Sequence, residues 1–276
     1  MIARFLAFIR FSHTIFALPF GVGAAFVAAG GWPGWRLFGA IVAAMVFART
    51  AAMTFNRIVD WEIDRRNPRT EGRHKLVPKP VAIAACILSG VAFVGVTFWI
   101  NPLCFAFSPG ALALVFFYSL TKRFTSLAQF FLGLALAVAP VGGWVAVTGR
   151  FHPAPFVLAA GVLCWVAGFD TIYALQDHAV DAREKLHSIV VRLGVPAALR
   201  LAISLHAITL VALCAFGWMT ARGLPYWIAM GVAAAALGYE QFSARGLDVA
   251  GINRAFFESN AIVSAAFLAG ILVDLA

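Results

Sequence analysis

Residues 81–120 read VAIAACILSGVAFVGVTFWINPLCFAFSPGALALVFFYSL, without a single Asp, Glu, Lys or Arg. Asn101-Pro102 splits this stretch into two apolar runs. Each has roughly the 20 residues that an α-helix needs to cross ~30 Å of hydrocarbon. Similar runs extend outward in both directions. Transmembrane helices are predicted near 12–30, 36–57, 81–100, 103–120, 127–147, 155–176, 199–217, 225–242 and 256–274. Gly and Pro mark the joints, at Gly30-Gly31-Trp32-Pro33, Asn101-Pro102, Ser108-Pro109, His152-Pro153 and Gly223-Leu224-Pro225. The expected fold class is all-α and integral to the membrane, a bundle of nine transmembrane helices.

Composition agrees. Charged residues make up 12% of the 276, and the mean hydropathy is +0.90. A soluble domain carries about 25% charged residues. The apolar runs leave no room for a soluble domain, so residues 1–276 are expected to form a single membrane domain with the lipid bilayer as its surroundings. The net charge of +9 reads as basic cytoplasmic loops, with no nucleic-acid partner, because no basic run with interleaved aromatics stands apart from the spans. Cys86, Cys104, Cys164 and Cys214 all lie in apolar stretches without metal or disulfide spacing, which suggests small packing residues. At the start, Arg4 and Arg10 interrupt the hydrophobicity and no small-residue cleavage site follows. That segment reads as a mature amphipathic lead-in rather than a signal peptide.

Charge placement tests the count. With nine spans, 17 of the 21 Lys and Arg residues fall on the side of the N-terminus. Arg36, Arg150 and Arg222 fall on the other, and Arg49 lies within a span. The positive-inside rule then puts the N-terminus and the large basic loops in the cytoplasm, and the C-terminus outside the inner cell membrane.

Eight of the 12 acids occupy two windows, FNRIVDWEIDRRNPRTEGR at 55–73 and FDTIYALQDHAVDAREK at 169–185. Each window sits at the cytoplasmic end of a span. Asn56, Asp60 and Asp64 run i, i+4, i+8 and share one helix face. Asp170, Asp177 and Asp181 run i, i+7, i+11 and share another, which Tyr173 joins. Like charges so stacked repel, and near a membrane they are costlier still. A divalent cation offsets that repulsion. Carboxylate and amide oxygens without a Cys set suit Mg²⁺, Mn²⁺ or Ca²⁺. Mg²⁺ typically takes one or two carboxylates, waters and substrate phosphates. Arg57, Arg65, Arg69, Arg73, Lys122 and Arg123 are the cations available to a diphosphate.

The plainer reading makes these acids solvated loop charges balanced by nearby Arg. It suits Glu62 and Glu71, which fall off the shared face or far down the loop, and leaves Glu184 open. It does not suit two clusters at span ends in an acid-poor chain.

These residues resemble the UbiA superfamily of intramembrane prenyltransferases. The first family motif, Asn-Asp/Arg-x-x-Asp-x-x-x-Asp, reads here Asn56-Arg57-Ile58-Val59-Asp60-Trp61-Glu62-Ile63-Asp64, with a family-like Asn67-Pro68-Arg69-Thr70 after it. The second, Tyr-Asp-x-x-Tyr-Ala-x-x-Asp-x-x-x-Asp, reads Phe169-Asp170-Thr171-Ile172-Tyr173-Ala174-Leu175-Gln176-Asp177-His178-Ala179-Val180-Asp181, with Phe169 in place of Tyr. Tyr118 to Lys122-Arg123 matches a Tyr-x-x-x-Lys-Arg stretch. The resemblance implies a nine-helix bundle around a central cavity open sideways to lipid. It also implies Mg²⁺ as cofactor, a polyprenyl diphosphate donor and a small aromatic acid acceptor. By position, Asn56, Asp60 and Asp64 would bind one Mg²⁺–diphosphate unit, and Asp177 and Asp181 the other. Arg57, Lys122 and Arg123 would contact the diphosphate, and Asp170 would orient or deprotonate the acceptor. Asp60, Asp170 and Asp177 are thus the expected catalytic acids, while Arg69, Arg73 and Tyr173 complete the expected diphosphate set.

The opening Phe11-Ser12-His13-Thr14-Ile15-Phe16-Ala17-Leu18-Pro19-Phe20 is similar to a 4-hydroxybenzoate polyprenyltransferase branch, part of which takes a futalosine-type acceptor in menaquinone synthesis. His13 there reads first as a structural hydrogen bonder. Arg49 should face the bundle interior, to contact an acceptor carboxylate or pair with an acid. The rival class is a metal-ion or proton-coupled transporter. Transporter sites usually lie near the midplane on broken helices, whereas these acids sit at span ends beside many Arg residues. A Mg²⁺-dependent phospholipid-type alcohol transferase would pack its acids into one motif.

Overall fold

The computed structural model describes residues 2–10, 14–66, 70–183, 187–246 and 249–276. In chain order its helices are α1 (Ile2–Phe8), α2 (Thr14–Ala29), α3 (Trp35–Val59), α4 (Trp61–Arg66), α5 (Lys79–Ile100), α6 (Pro102–Thr121), α7 (Ala128–Thr148), α8 (Pro153–Ala174), α9 (His178–Arg183), α10 (Ile189–Leu193), α11 (Val195–Met219), α12 (Leu224–Ala244) and α13 (Val249–Asp274). Short 3-10 turns occupy Arg73–Lys75 and Leu175–Asp177. Among the described residues there is no strand. This follows from the solvent, since lipid offers no partner to a backbone N–H or C=O and a helix satisfies its own.

The long helices lie where the spans are predicted. Seven are long and apolar enough to cross a membrane: α3, α5, α6, α7, α8 with its terminal turn, α11 and α13. α2 is apolar but shorter, and α12 falls outside that set. Of the two joints predicted between 101 and 109, one is found. Asn101 caps α6 by accepting from the Cys104 N–H at 2.8 Å, and Pro102 opens the helix, where its missing N–H costs nothing. Ser108-Pro109, read above as a joint, is instead interior to α6. A transmembrane helix tolerates such a proline because nearby groups re-satisfy the freed carbonyl. Of the cysteines, Cys86 is buried, but Cys214 is exposed on the apolar outer face and does not pack as expected.

α2, α7, α8, α11, α12 and α13 pack in succession, and α13 returns to α2. α3, α5 and α6 form a second group, joined to the first through α6 and α7. The core between α2, α8 and α13 is aromatic, with Phe20 stacked on Phe267 at 4.6 Å and tilted on Trp165 at 5.0 Å. The lead-in α1 tucks Phe8 and the following Ile9 against Val77 and Ala82. α2 and α7 touch backbone to backbone, so that a Cβ on Gly143 would run into the Gly21 carbonyl. Gly143→Ala is expected to cost about 1–3 kcal/mol, the usual penalty of overpacking. Thermal unfolding in detergent measures it, and an unchanged Tm would mean the helices part freely.

Candidate active site

The first acid motif straddles the break between α3 and α4. Asp60 ends α3 with φ −89° and ψ 11°. The hydrogen-bond ladder nonetheless continues across it, from Asp60 N–H to the Asn56 carbonyl at 2.9 Å and from Asp64 N–H to the Asp60 carbonyl at 2.7 Å. The i, i+4, i+8 face therefore survives, and Asn56 Nδ2 donates to Asp60 Oδ2 at 3.0 Å. The Thr70 hydroxyl donates to the Asp64 carbonyl at 2.9 Å, which holds Thr70 against the motif.

The second motif departs from expectation. α8 ends at Ala174, the 3-10 turn takes Leu175–Asp177, and α9 begins at His178. A 3-10 turn has about 3.0 residues per turn against 3.6, so its three residues rotate Asp177 and Asp181 by roughly 60° from the α-helical face read through 170, 177 and 181. Three segments bring these residues to one place instead. α8 carries Asp170 and Tyr173, the turn carries Asp177, and α9 carries Asp181.

Both motifs line one cavity of about 270 Å³. Asn56, Arg57, Asp60, Asp64 and Arg73 face it from one side, and Asp170, Tyr173, Asp177 and Asp181 from the other. Lys122 and Arg123, just past α6, close the gap between them. Cations thread the acids. Arg123 Nη2 lies 2.7 Å from Asp60 Oδ1, Arg73 Nη1 3.0 Å from Asp64 Oδ1, Arg57 Nη1 3.6 Å from Asp64 Oδ2, and Lys122 Nζ 3.8 Å from Asp181 Oδ2. Burial pushes the Asp60 carboxyl above the usual carboxylate range, against the pull of Arg123, with Asp64 adding to the rise. Burial alone would lower the Lys122 ammonium, but Asp181, then Asp170, Asp177 and Asp60, hold it above its ordinary value.

Toward the bundle interior the cavity turns apolar, with Phe16, Leu132, Leu136, Phe169 and Phe256 in its wall. Phe256 meets Phe169 edge-on at 5.3 Å and Tyr173 at 4.6 Å. Two arginines remain here. Arg10 Nη1 donates to the Tyr173 hydroxyl at 3.1 Å. Arg49 faces the interior as expected, donates through Nη2 to the Arg10 carbonyl at 3.3 Å, and has a buried Nε with no partner among the described residues.

Arg69, His13 and Glu184 lie outside the described residues. Arg65 turns outward to an exposed pair with Glu62 at 3.3 Å, and Glu71 is exposed, as the plainer reading held for both acids. Sequence reasoning did not place Arg10, Thr70 or Phe256 at the site. The isolated Arg10 in an apolar opening was the one available signal. Phe256 carried none, being one of 26 Phe residues.

Among the described residues no three His, Cys, Asp or Glu groups converge into a ready metal cage. The donors around the cavity are carboxylate and amide oxygens, with neither His nor Cys. Such donors, split between two sides and interleaved with cations, fit a hard divalent ion whose coordination phosphate oxygens and water complete.

A family model described as the UbiA prenyltransferase family matches residues 17–269. A 4-hydroxybenzoate octaprenyltransferase from Acidovorax ebreus is 33% identical over 259 residues, covering 91% of this chain and 87% of that protein. Another from Saccharophagus degradans is 31% identical over 252 residues, covering 90% and 83%. The apo structure of a UbiA homolog from Aeropyrum pernix K1 superposes with a TM-score of 0.87 at 29% identity, over 96% of this chain and 98% of that one. A UbiA homolog from Archaeoglobus fulgidus, solved with GPP and Mg²⁺, shares the fold with a TM-score of 0.68 at 19% identity over 99% of both chains.

Proposed function

Because this chain belongs to the UbiA prenyltransferase family, we propose that its cavity moves a polyprenyl group from a polyprenyl diphosphate to a small aromatic acid, releasing diphosphate. The chain is a prenyltransferase and a multi-pass membrane protein. The acceptor in this reading is 4-hydroxybenzoate or a futalosine-type benzoate, and the pathway is ubiquinone or menaquinone biosynthesis. Nine helices, α2, α3, α5–α8 and α11–α13, cross the inner membrane around the cavity. The N-terminus and the acid motifs face the cytoplasm, and the C-terminus lies outside.

One observation carries the reading: two acid motifs about 120 positions apart in sequence, with their cations, share a chamber whose inner wall is aromatic. Mg²⁺ would be held by Asn56, Asp60 and Asp64 on one side and by Asp177 and Asp181 on the other. When bound it supplies positive charge to the departing diphosphate. Arg57, Arg73, Lys122 and Arg123 bind the diphosphate oxygens, the Tyr173 hydroxyl donates to them, and Arg69, outside the described residues, is assigned to the same set. Phe16, Phe169 and Phe256 exclude water from the allylic carbon and turn ring faces toward its developing positive charge. Asp170 accepts the acceptor's proton or fixes its ring orientation. Arg49 takes the acceptor's carboxylate at the inner end of the chamber.

The test is product formation by the full chain in membranes supplied with Mg²⁺, labelled prenyl diphosphates and either acceptor. Mass spectrometry is expected to find a prenylated aromatic acid with one acceptor and equimolar diphosphate. Chelation is expected to stop turnover and added Mg²⁺ to restore it. Metal-dependent ion flux without any prenylated product would return the transporter reading, which the cations inside the chamber otherwise oppose.

A further inference from the structure

α12 contributes nothing to the lining of the reaction cavity among the described residues, yet it carries an acid in the bundle interior. Glu240 is 0% exposed, and so are Asn260, Ser259 and Ser264 on the facing side of α13. Among the described residues no Lys, Arg or His forms an ion pair with Glu240. Its neighbour is an amide, with Asn260 Nδ2 donating to Glu240 Oε1 at 2.9 Å. That nitrogen also donates to the Phe256 carbonyl at 2.7 Å, so both amide hydrogens are used. Flipping the amide would set its oxygen against two acceptors, so the nitrogen assignment stands on the network itself.

Among the described residues Glu240 Oε2 and Asn260 Oδ1, both buried, then remain without a donor, and the neighbouring Ser259 hydroxyl is without a partner. An ionised carboxylate here would have one neutral hydrogen bond and no counter-charge, an arrangement buried charges do not sustain. A single proton resolves both shortfalls, since a carboxyl O–H becomes the missing donor beside an amide oxygen that needs one. We infer that Glu240 is a proton-binding site in the bundle interior, held as a neutral carboxylic acid that pairs with Asn260 and fastens α12 to α13. Asn260 lies one turn from Phe256, a wall residue of the cavity. The pair thereby steadies that wall from behind without touching the substrates.

The same oxygens could be satisfied by a monovalent metal cation, and the experiment separates the two. The full chain in detergent at neutral pH is compared with Glu240→Gln and Glu240→Ala by infrared difference spectroscopy and thermal unfolding, in sodium, potassium and choline salts. The parent-minus-Gln spectrum is expected to show the carbonyl stretch of one protonated carboxyl group. Gln offers the same donor and acceptor as the neutral acid, so Glu240→Gln is expected to keep the parental Tm, while Glu240→Ala loses several degrees in every salt. Carboxylate bands in the difference spectrum, a Gln variant as unstable as the Ala variant, or a Tm that rises with sodium or potassium but not choline would overturn the inference. No substrate is present, so the outcome does not depend on the proposed reaction.

Discussion

Asp60→Asn and Asp177→Asn are each expected to lower prenyl transfer by about 10²–10³-fold or more, the usual cost of removing a preorganised electrostatic contact to a departing charge. Asn keeps the side-chain volume and removes the charge, so helical content and elution in detergent should not change. The proposed assignment makes a sharper demand on the pair. Asp60 belongs to the α3–α4 motif and Asp177 to the turn after α8, and both line the same cavity. Their substitutions should therefore both raise the Mg²⁺ concentration needed for half-maximal rate. Arg123 Nη2 sits 2.7 Å from Asp60 Oδ1, so Asp60→Asn also frees a cation for the diphosphate. Tighter donor binding with collapsed turnover would be the result. Full turnover in either folded variant would remove the two-sided metal–diphosphate site.

Arg49→Met is expected to raise KM for the aromatic acid about 10- to 100-fold, the loss of one hydrogen bond to a charged group, while donor KM and metal dependence stay put. The reason is positional. Arg49 precedes Asn56 by two helical turns on the same face of α3, so it lies deeper than the acid motif. Among the described residues its Nε has no partner and no acid forms an ion pair with it. A half-buried cation without a counter-charge inside the bundle adds little to stability or detracts from it. Arg49→Met is therefore expected to unfold at the same or a higher temperature than the parent, even as acceptor affinity falls. A falling Tm with unchanged acceptor KM would make Arg49 a structural residue instead. Steady-state kinetics with each substrate varied in turn, beside a thermal scan, decides between these outcomes.

What the amino-acid order determined is whatever depends on local spacing and on solvent. Apolar runs of helix length can only be helices in lipid, so the long apolar helices were legible, α6 included once Asn101-Pro102 is read as a cap. Asn56, Asp60 and Asp64 were legible as one face because the i→i+4 ladder runs through the break at Asp60. The second motif shows where spacing stops. The turn at Leu175–Asp177 changes the residues per turn, and no local rule required it. Only packing decided that Asp170, Asp177 and Asp181, carried by α8, the 3-10 turn and α9, would meet the first motif in one chamber.

Arg10 and Phe256 joined that chamber through contacts far apart in the chain, as when Arg10 reaches Tyr173, 163 residues away. The same holds for Glu240, an ordinary acid in sequence, because it is α13 that places Asn260 against it and, among the described residues, no cation forms an ion pair with it. Periodicity describes a helix and its neighbourhood within a few turns. Which helices press together, and which charges are left facing each other when they do, is a property of the assembled bundle.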